Sequence, residues 1–91
     1  MDPRQQLNLM DKISRELDDL KNSQTSVLKK ISQIEADNIN LGLEVLEEKL
    51  PEIHEEVDDA VEKISALQEQ FAEKRDKFAK DNPIAEEGPS A

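Results

Sequence analysis

The side chains of this sequence that could do chemistry are mostly carboxylates, and they are concentrated in one segment. Nine Asp or Glu residues and a single lysine lie in residues 44–62. Two carboxylates can act as general acid and base only where a pocket separates their pKa values. Adjacent acids such as Glu55 and Glu56 also lack the alternating oxygen ligands and central glycine of an EF-hand loop. The only histidine, His54, has no second histidine or cysteine with which to share a metal ion. We therefore expect no enzyme activity, no metal site and no cofactor.

The same carboxylates are better interpreted as a surface. Several are four residues apart, a spacing that costs an isolated helix about 0.2–0.5 kcal/mol per like-charged pair. One interpretation is a solvated face that keeps the protein in solution. The alternatives are a surface for a basic protein partner and a mimic of nucleic acid phosphates. This candidate acidic surface consists of Glu44, Glu48, Glu52, Glu55, Glu56, Asp58, Asp59 and Glu62.

Composition limits the chain to one thin helical domain. Of its 91 residues 37% are charged, the formal net charge is −10, and only two residues are aromatic. No basic stripe with interleaved aromatic residues is present, so we expect no nucleic acid binding. Without cysteine there is no disulfide framework. We also find no signal peptide and no apolar run long enough to span a membrane. These features predict an intracellular, cytoplasmic protein.

The elements that carry these residues are predicted by apolar spacing that alternates three and four residues. This heptad spacing places apolar side chains at positions a and d, along one side of a helix. Two heptad frames are present, and the second is two residues out of phase with the first. The first frame contains Met10, Ile13, Leu17, Leu20, Val27, Ile31 and Ile34, and the second contains Leu43, Leu46, Leu50, Ile53, Val57, Ile64, Leu67 and Phe71.

The change of frame coincides with a cluster of turn-forming residues at 37–42, which contains Asp, Asn and Gly. We therefore predict an all-α helical hairpin, with helices at about 4–36 and 43–80 and a turn at about 37–42. A single bent rod is the alternative. Asp2 and Pro3 favour a helix start. Residues 81–91 are predicted to form a disordered acidic tail.

Pro51 lies inside the second predicted helix. Because the apolar frame continues across it, we expect a kink rather than a break. The alternative is a three-segment arrangement, with a short helix at 43–49 and a new one from Pro51.

Polar residues occupy two a positions of the first frame. Gln24 lies in the polar stretch 21–26, which predicts either a locally frayed turn or a buried polar residue that sets the register. Asn38 is the second such residue.

These patterns predict a non-enzymatic structural or adaptor subunit. We expect its a and d residues to be covered by helical chains, either copies of itself or other proteins, in an oligomeric bundle. The alternative is a small acidic inhibitor or chaperone-like binder that occupies a basic surface. In a hairpin centred on residues 39–40, residues near Ile13 would approach residues near Leu67.

Overall fold

A computed structural model describes residues 1–83 of the chain. It contains helix α1 (Pro3–Leu41) and helix α2 (Glu44–Asp81), and no strand is present in this range. The two helices form a hairpin. The predicted all-α hairpin is therefore confirmed, and the single-rod alternative is wrong.

Helix α1 begins where the sequence predicts, because two side chains close its first turn. The backbone N–H of Gln5 donates to Asp2 Oδ1 at 2.8 Å, and the backbone N–H of Asp2 donates to Gln5 Oε1 at 3.1 Å. This reciprocal pair is a capping box, and Pro3 needs no N–H at the first helical position. The helix is unbroken through residues 21–26, where the Thr25 hydroxyl donates to the Lys21 carbonyl. The frayed-turn alternative at Gln24 is therefore wrong.

The predicted turn at 37–42 is wrong in its extent, because α1 continues to Leu41 and only two residues lie between the helices. Gly42 has φ = +70°, and its N–H donates to the Asn38 carbonyl at 2.7 Å. This is the αL helix end, which favours glycine. The Asn38 amide donates to the Leu43 carbonyl at 3.1 Å and accepts from the Leu43 N–H at 3.0 Å. Asn38 is thus a helical residue that closes the turn with its side chain.

Helix α2 runs through Pro51 without interruption, so the three-segment alternative is wrong. The helix ends at Asp81, one residue beyond the predicted end. There the backbone N–H and the side-chain amide of Asn82 both donate to the Phe78 carbonyl, at 3.0 and 2.9 Å. The predicted tail at 81–91 therefore starts too early. Residues 84–91 of that tail lie outside the described residues.

The chain divides into two compact units, and each contains a segment of both helices. The turn unit comprises Leu20–Ser65, and the terminal unit comprises Met1–Asp19 together with the chain from Ala66 onward. In the turn unit, Ile31 and Leu50 are buried. In the terminal unit, Leu7 packs with Ala79 and Phe78.

Contacts in the terminal unit show that the helices are antiparallel. Arg75 Nε donates to Asp11 Oδ1 at 2.8 Å, and Gln68 Nε2 donates to Asp18 Oδ1 at 2.6 Å. Residue numbers therefore rise along α1 as they fall along α2.

This register corrects the expected approach of Ile13 to Leu67. The hydrogen bond between Asp18 and Gln68 places Leu67 opposite the last α1 residue of the terminal unit, about six residues beyond Ile13. In the turn unit, the two residues between the helices centre the hairpin on residues 42–43 rather than 39–40.

Candidate interaction surfaces of the hairpin

The contact between the helices of the turn unit uses the predicted a residues and their e neighbours, rather than a and d. The a residues Ile31 and Leu50 are buried, and Val57 and Ile64 are half-buried. At position e, four residues after a, Leu28 is also half-buried. Of the predicted seam, the a residues therefore lie in the contact between the two helices, and their role in binding a partner stays a prediction.

A polar edge lies beside this apolar contact in the turn unit. His54 Nδ1 and Glu35 Oε1 are 2.7 Å apart, and both residues are half-buried at position e of their helices. Within residues 1–83 this is the only side-chain hydrogen bond of His54, and none joins it to a serine or threonine hydroxyl. The arrangement connects the two helices through their side chains.

The terminal unit has its own polar contacts. Arg75 bonds Asp11, and this hydrogen bond, with the nearby negative charge, raises the pKa of the Arg75 guanidinium above its ordinary value. The guanidinium also contacts Asp76 at 3.3 Å. Because these groups are partly exposed, such an ion pair contributes about 0.2–1 kcal/mol to stability.

Four predicted d residues of the turn unit form an exposed row on the other side of the contact, whereas a fifth, Leu46, is half-buried. Viewed down the helix axis, position d is rotated about 60° from position a, and position e is rotated about 40° from a in the opposite direction. Since e residues of both helices share one edge of an antiparallel pair, as Glu35 and His54 show, the d residues of both share the other. We call this row the apolar side; its exposed members are Leu20 (43%), Val27 (44%), Ile34 (38%) and Ile53 (45%).

The remaining seam residues do not all follow this division, because the d residues Leu46 and Ile13 are half-buried and the a residue Leu43 is exposed. Leu46 is half-buried, whereas Leu43 is 47% exposed because it lies in the turn. In the terminal unit Leu67 is 47% exposed. The half-buried seam residues of that unit are Met10, Ile13, Leu17 and Phe71.

Four contact residues were not identified as seam residues from the sequence. Leu7, Leu28 and Val61 occupy e positions, and Ala79 precedes the end of α2. Leu7 and Ala79 are buried, whereas the other two are half-buried. The signal that could have identified the first three is the presence of apolar residues at e in both helices.

All eight residues of the candidate acidic surface are exposed. Within the part of the chain that the structure describes, none of them forms a salt bridge. Their positions are b, c, f and g, away from α1, because a and e of α2 face that helix. The structure therefore places these carboxylates together on the outer face of α2.

No group of three or more His, Asp or Glu side chains in residues 1–83 is arranged to hold a metal ion. Neither helix contains an apolar stretch sufficient to cross a membrane, as far as the described chain extends. Comparison of the chain with family models, curated proteins and solved structures returns no match.

Proposed function

We propose that this chain is a non-enzymatic structural or adaptor subunit that assembles through its apolar side into a homo- or hetero-oligomeric helical bundle. The observation that carries the proposal is the row of four large aliphatic side chains, each 38–45% exposed, on the apolar side of the turn unit. The proposal keeps the cytoplasmic location expected from a sequence without cysteine.

Two features support an aliphatic partner surface rather than a ligand pocket. On α1 the row follows the seven-residue spacing of d positions, so helices of another chain can cover it as in a helical bundle. Full burial of a large aliphatic side chain is worth about 1.5–3 kcal/mol. Because each of the four is already more than half covered, covering the rest contributes on the order of 1 kcal/mol per residue.

An aspartate in the apolar side tests the proposal. Ile53→Asp places a charge in the row, and burial of an unpaired charge is strongly unfavourable. The matched control is Ile39→Asp, because Ile39 is 81% exposed and lies at position b, outside the row. We expect Ile53→Asp to reduce the mass measured by light scattering, or binding to a defined partner, whereas Ile39→Asp leaves both unchanged. Equal effects of the two variants would reject the proposal.

The second candidate function is the acidic inhibitor or chaperone-like binder. Its support is the exposure of all eight carboxylates of the acidic surface. A binder of this kind depends on charge, so its affinity falls as salt shortens the Debye length from ~30 Å at 0.01 M to ~10 Å at 0.1 M. Binding that is lost on combined reversal of Glu52, Glu55 and Glu56 to lysine, but kept in Ile53→Asp, would favour this function.

A further inference from the structure

Charged side chains border the apolar side of the turn unit, and their signs alternate along each helix. Each border residue lies three positions after a d residue, at position g, and is exposed. Position g is next to d on the side away from the contact between the helices. On α1 the charged border residues are Lys30 and Asp37, and on α2 they are Lys49 and Glu56; a further lysine, Lys63, lies level with the uncharged Ser23.

These four residues also lie at matching levels of the hairpin. Lys30 is twelve residues before Gly42, and Glu56 is thirteen residues after Leu43. Asp37 is five residues before Gly42, and Lys49 is six residues after Leu43. Because both helices rise about 1.5 Å per residue from the turn, each level carries one basic and one acidic residue.

We infer that the partner covering the apolar side is a second copy of this chain. The inference rests on the proposed function and names its partner. In the dimer, two hairpins lie with their apolar sides together and their turns at the same end, so that α1 of each copy packs against α2 of the other. Residues at g face each other across antiparallel helices. Lys30 then faces the partner's Glu56, and Asp37 faces the partner's Lys49.

The symmetry of this dimer doubles each ion pair. A two-fold axis parallel to the helices repeats every contact, so two opposite-charge pairs form at each level. The other two-fold arrangement, with turns at opposite ends, packs α1 against α1 and α2 against α2. It cannot join Lys30 to Glu56 across the interface, which makes the two arrangements distinguishable by charge exchange.

The test uses two single variants of the full chain, separately and mixed. Lys30→Glu creates two pairs of facing glutamates in its own dimer, and Glu56→Lys creates two pairs of facing lysines. An equimolar mixture restores opposite charges at both places in the heterodimer. At low salt we expect each variant to raise the dimer dissociation constant about tenfold, and the mixture to return to within about threefold of the unmodified chain.

Glu56→Lys separates specific pairing from general repulsion between acidic chains. The substitution makes the net charge of −10 less negative by two units. General repulsion alone would therefore tighten the dimer, whereas the pairing that we infer loosens it. The matched controls are Lys29→Glu and Glu55→Lys, which make the same charge changes at exposed f positions one residue away. We expect neither control to raise the dimer dissociation constant as the variant next to it does. We also expect a mixture of the two controls not to favour heterodimers.

Each outcome of sedimentation or light scattering decides the inference. A mass of twice 10.3 kDa, loosened in both variants and restored on mixing, supports it. A monomer at all concentrations overturns it, and so does a dimer whose affinity the mixture does not restore. The proposed function is rejected by a different result, namely equal effects of Ile53→Asp and Ile39→Asp on association with every helical partner. A monomeric chain whose binding to another helical protein is lost only in Ile53→Asp would therefore overturn the second copy and keep the function.

Discussion

At the scale of single residues, Asn38 has the most specific role. It is 4% exposed, and its amide satisfies both the N–H and the carbonyl of Leu43. Leu43 directly precedes the second helix and has no capping side chain of its own. We predict that Asn38→Ala lowers the free energy of unfolding by about 1–3 kcal/mol, because both backbone groups lose their partner. Urea unfolding followed by circular dichroism measures the change. The control is Asn40→Ala at an exposed position, and an equal loss there would contradict this role.

Gly42 makes a second residue-scale prediction. No atom lies within 4 Å of the place where a Cβ would stand, so a side chain there would not collide with its surroundings. The backbone at φ = +70° is nevertheless unfavourable for other residues. We expect Gly42→Ala to cost about 1–2 kcal/mol in thermal or urea unfolding, and Gly42→Asn to cost less, since asparagine tolerates this conformation. Gly42→Ala with unchanged stability would contradict the account of the turn.

At the scale of elements, Pro51 tests whether α2 acts as one helix. The residue is exposed, and its ring nitrogen cannot donate to the Glu47 carbonyl as another residue would. We expect Pro51→Ala to raise helicity and to stabilise the chain by about 1–3 kcal/mol, with the oligomeric mass unchanged. Circular dichroism and light scattering provide the two measurements. A changed mass would show that the proline is needed for assembly.

The helices themselves could be predicted from the sequence, but the length of the turn could not. Heptad spacing and the Asp2 cap correctly indicated the two helices and the start of the first. The cluster at 37–42 was interpreted by the turn preference of its residue types. In the structure Asn38 remains helical, and its side chain is hydrogen-bonded to Leu43, five residues later. The turn preferences of individual residue types do not predict such a contact.

At the scale of the whole molecule, the predicted seam and the observed contacts differ for a physical reason. Two antiparallel helices cover the a residues and one neighbouring row, and here that row is e, where Glu35 meets His54. The d residues are covered only if further helices pack against them. The heptad spacing of one sequence predicts such an apolar row. It does not identify the helices that would cover the row.

Cysteine alkylation tests directly whether the apolar side of the turn unit is covered on assembly. The chain has no cysteine, so one thiol at Val27→Cys reports on the apolar side, and one at Ile39→Cys reports on an exposed position outside it. We predict that alkylation of Val27→Cys slows at least tenfold as the protein concentration rises from below to above the dimer dissociation constant, while Ile39→Cys reacts at a constant rate. A Val27→Cys rate that stays constant over the whole concentration range, as the Ile39→Cys rate does, would contradict assembly through this side.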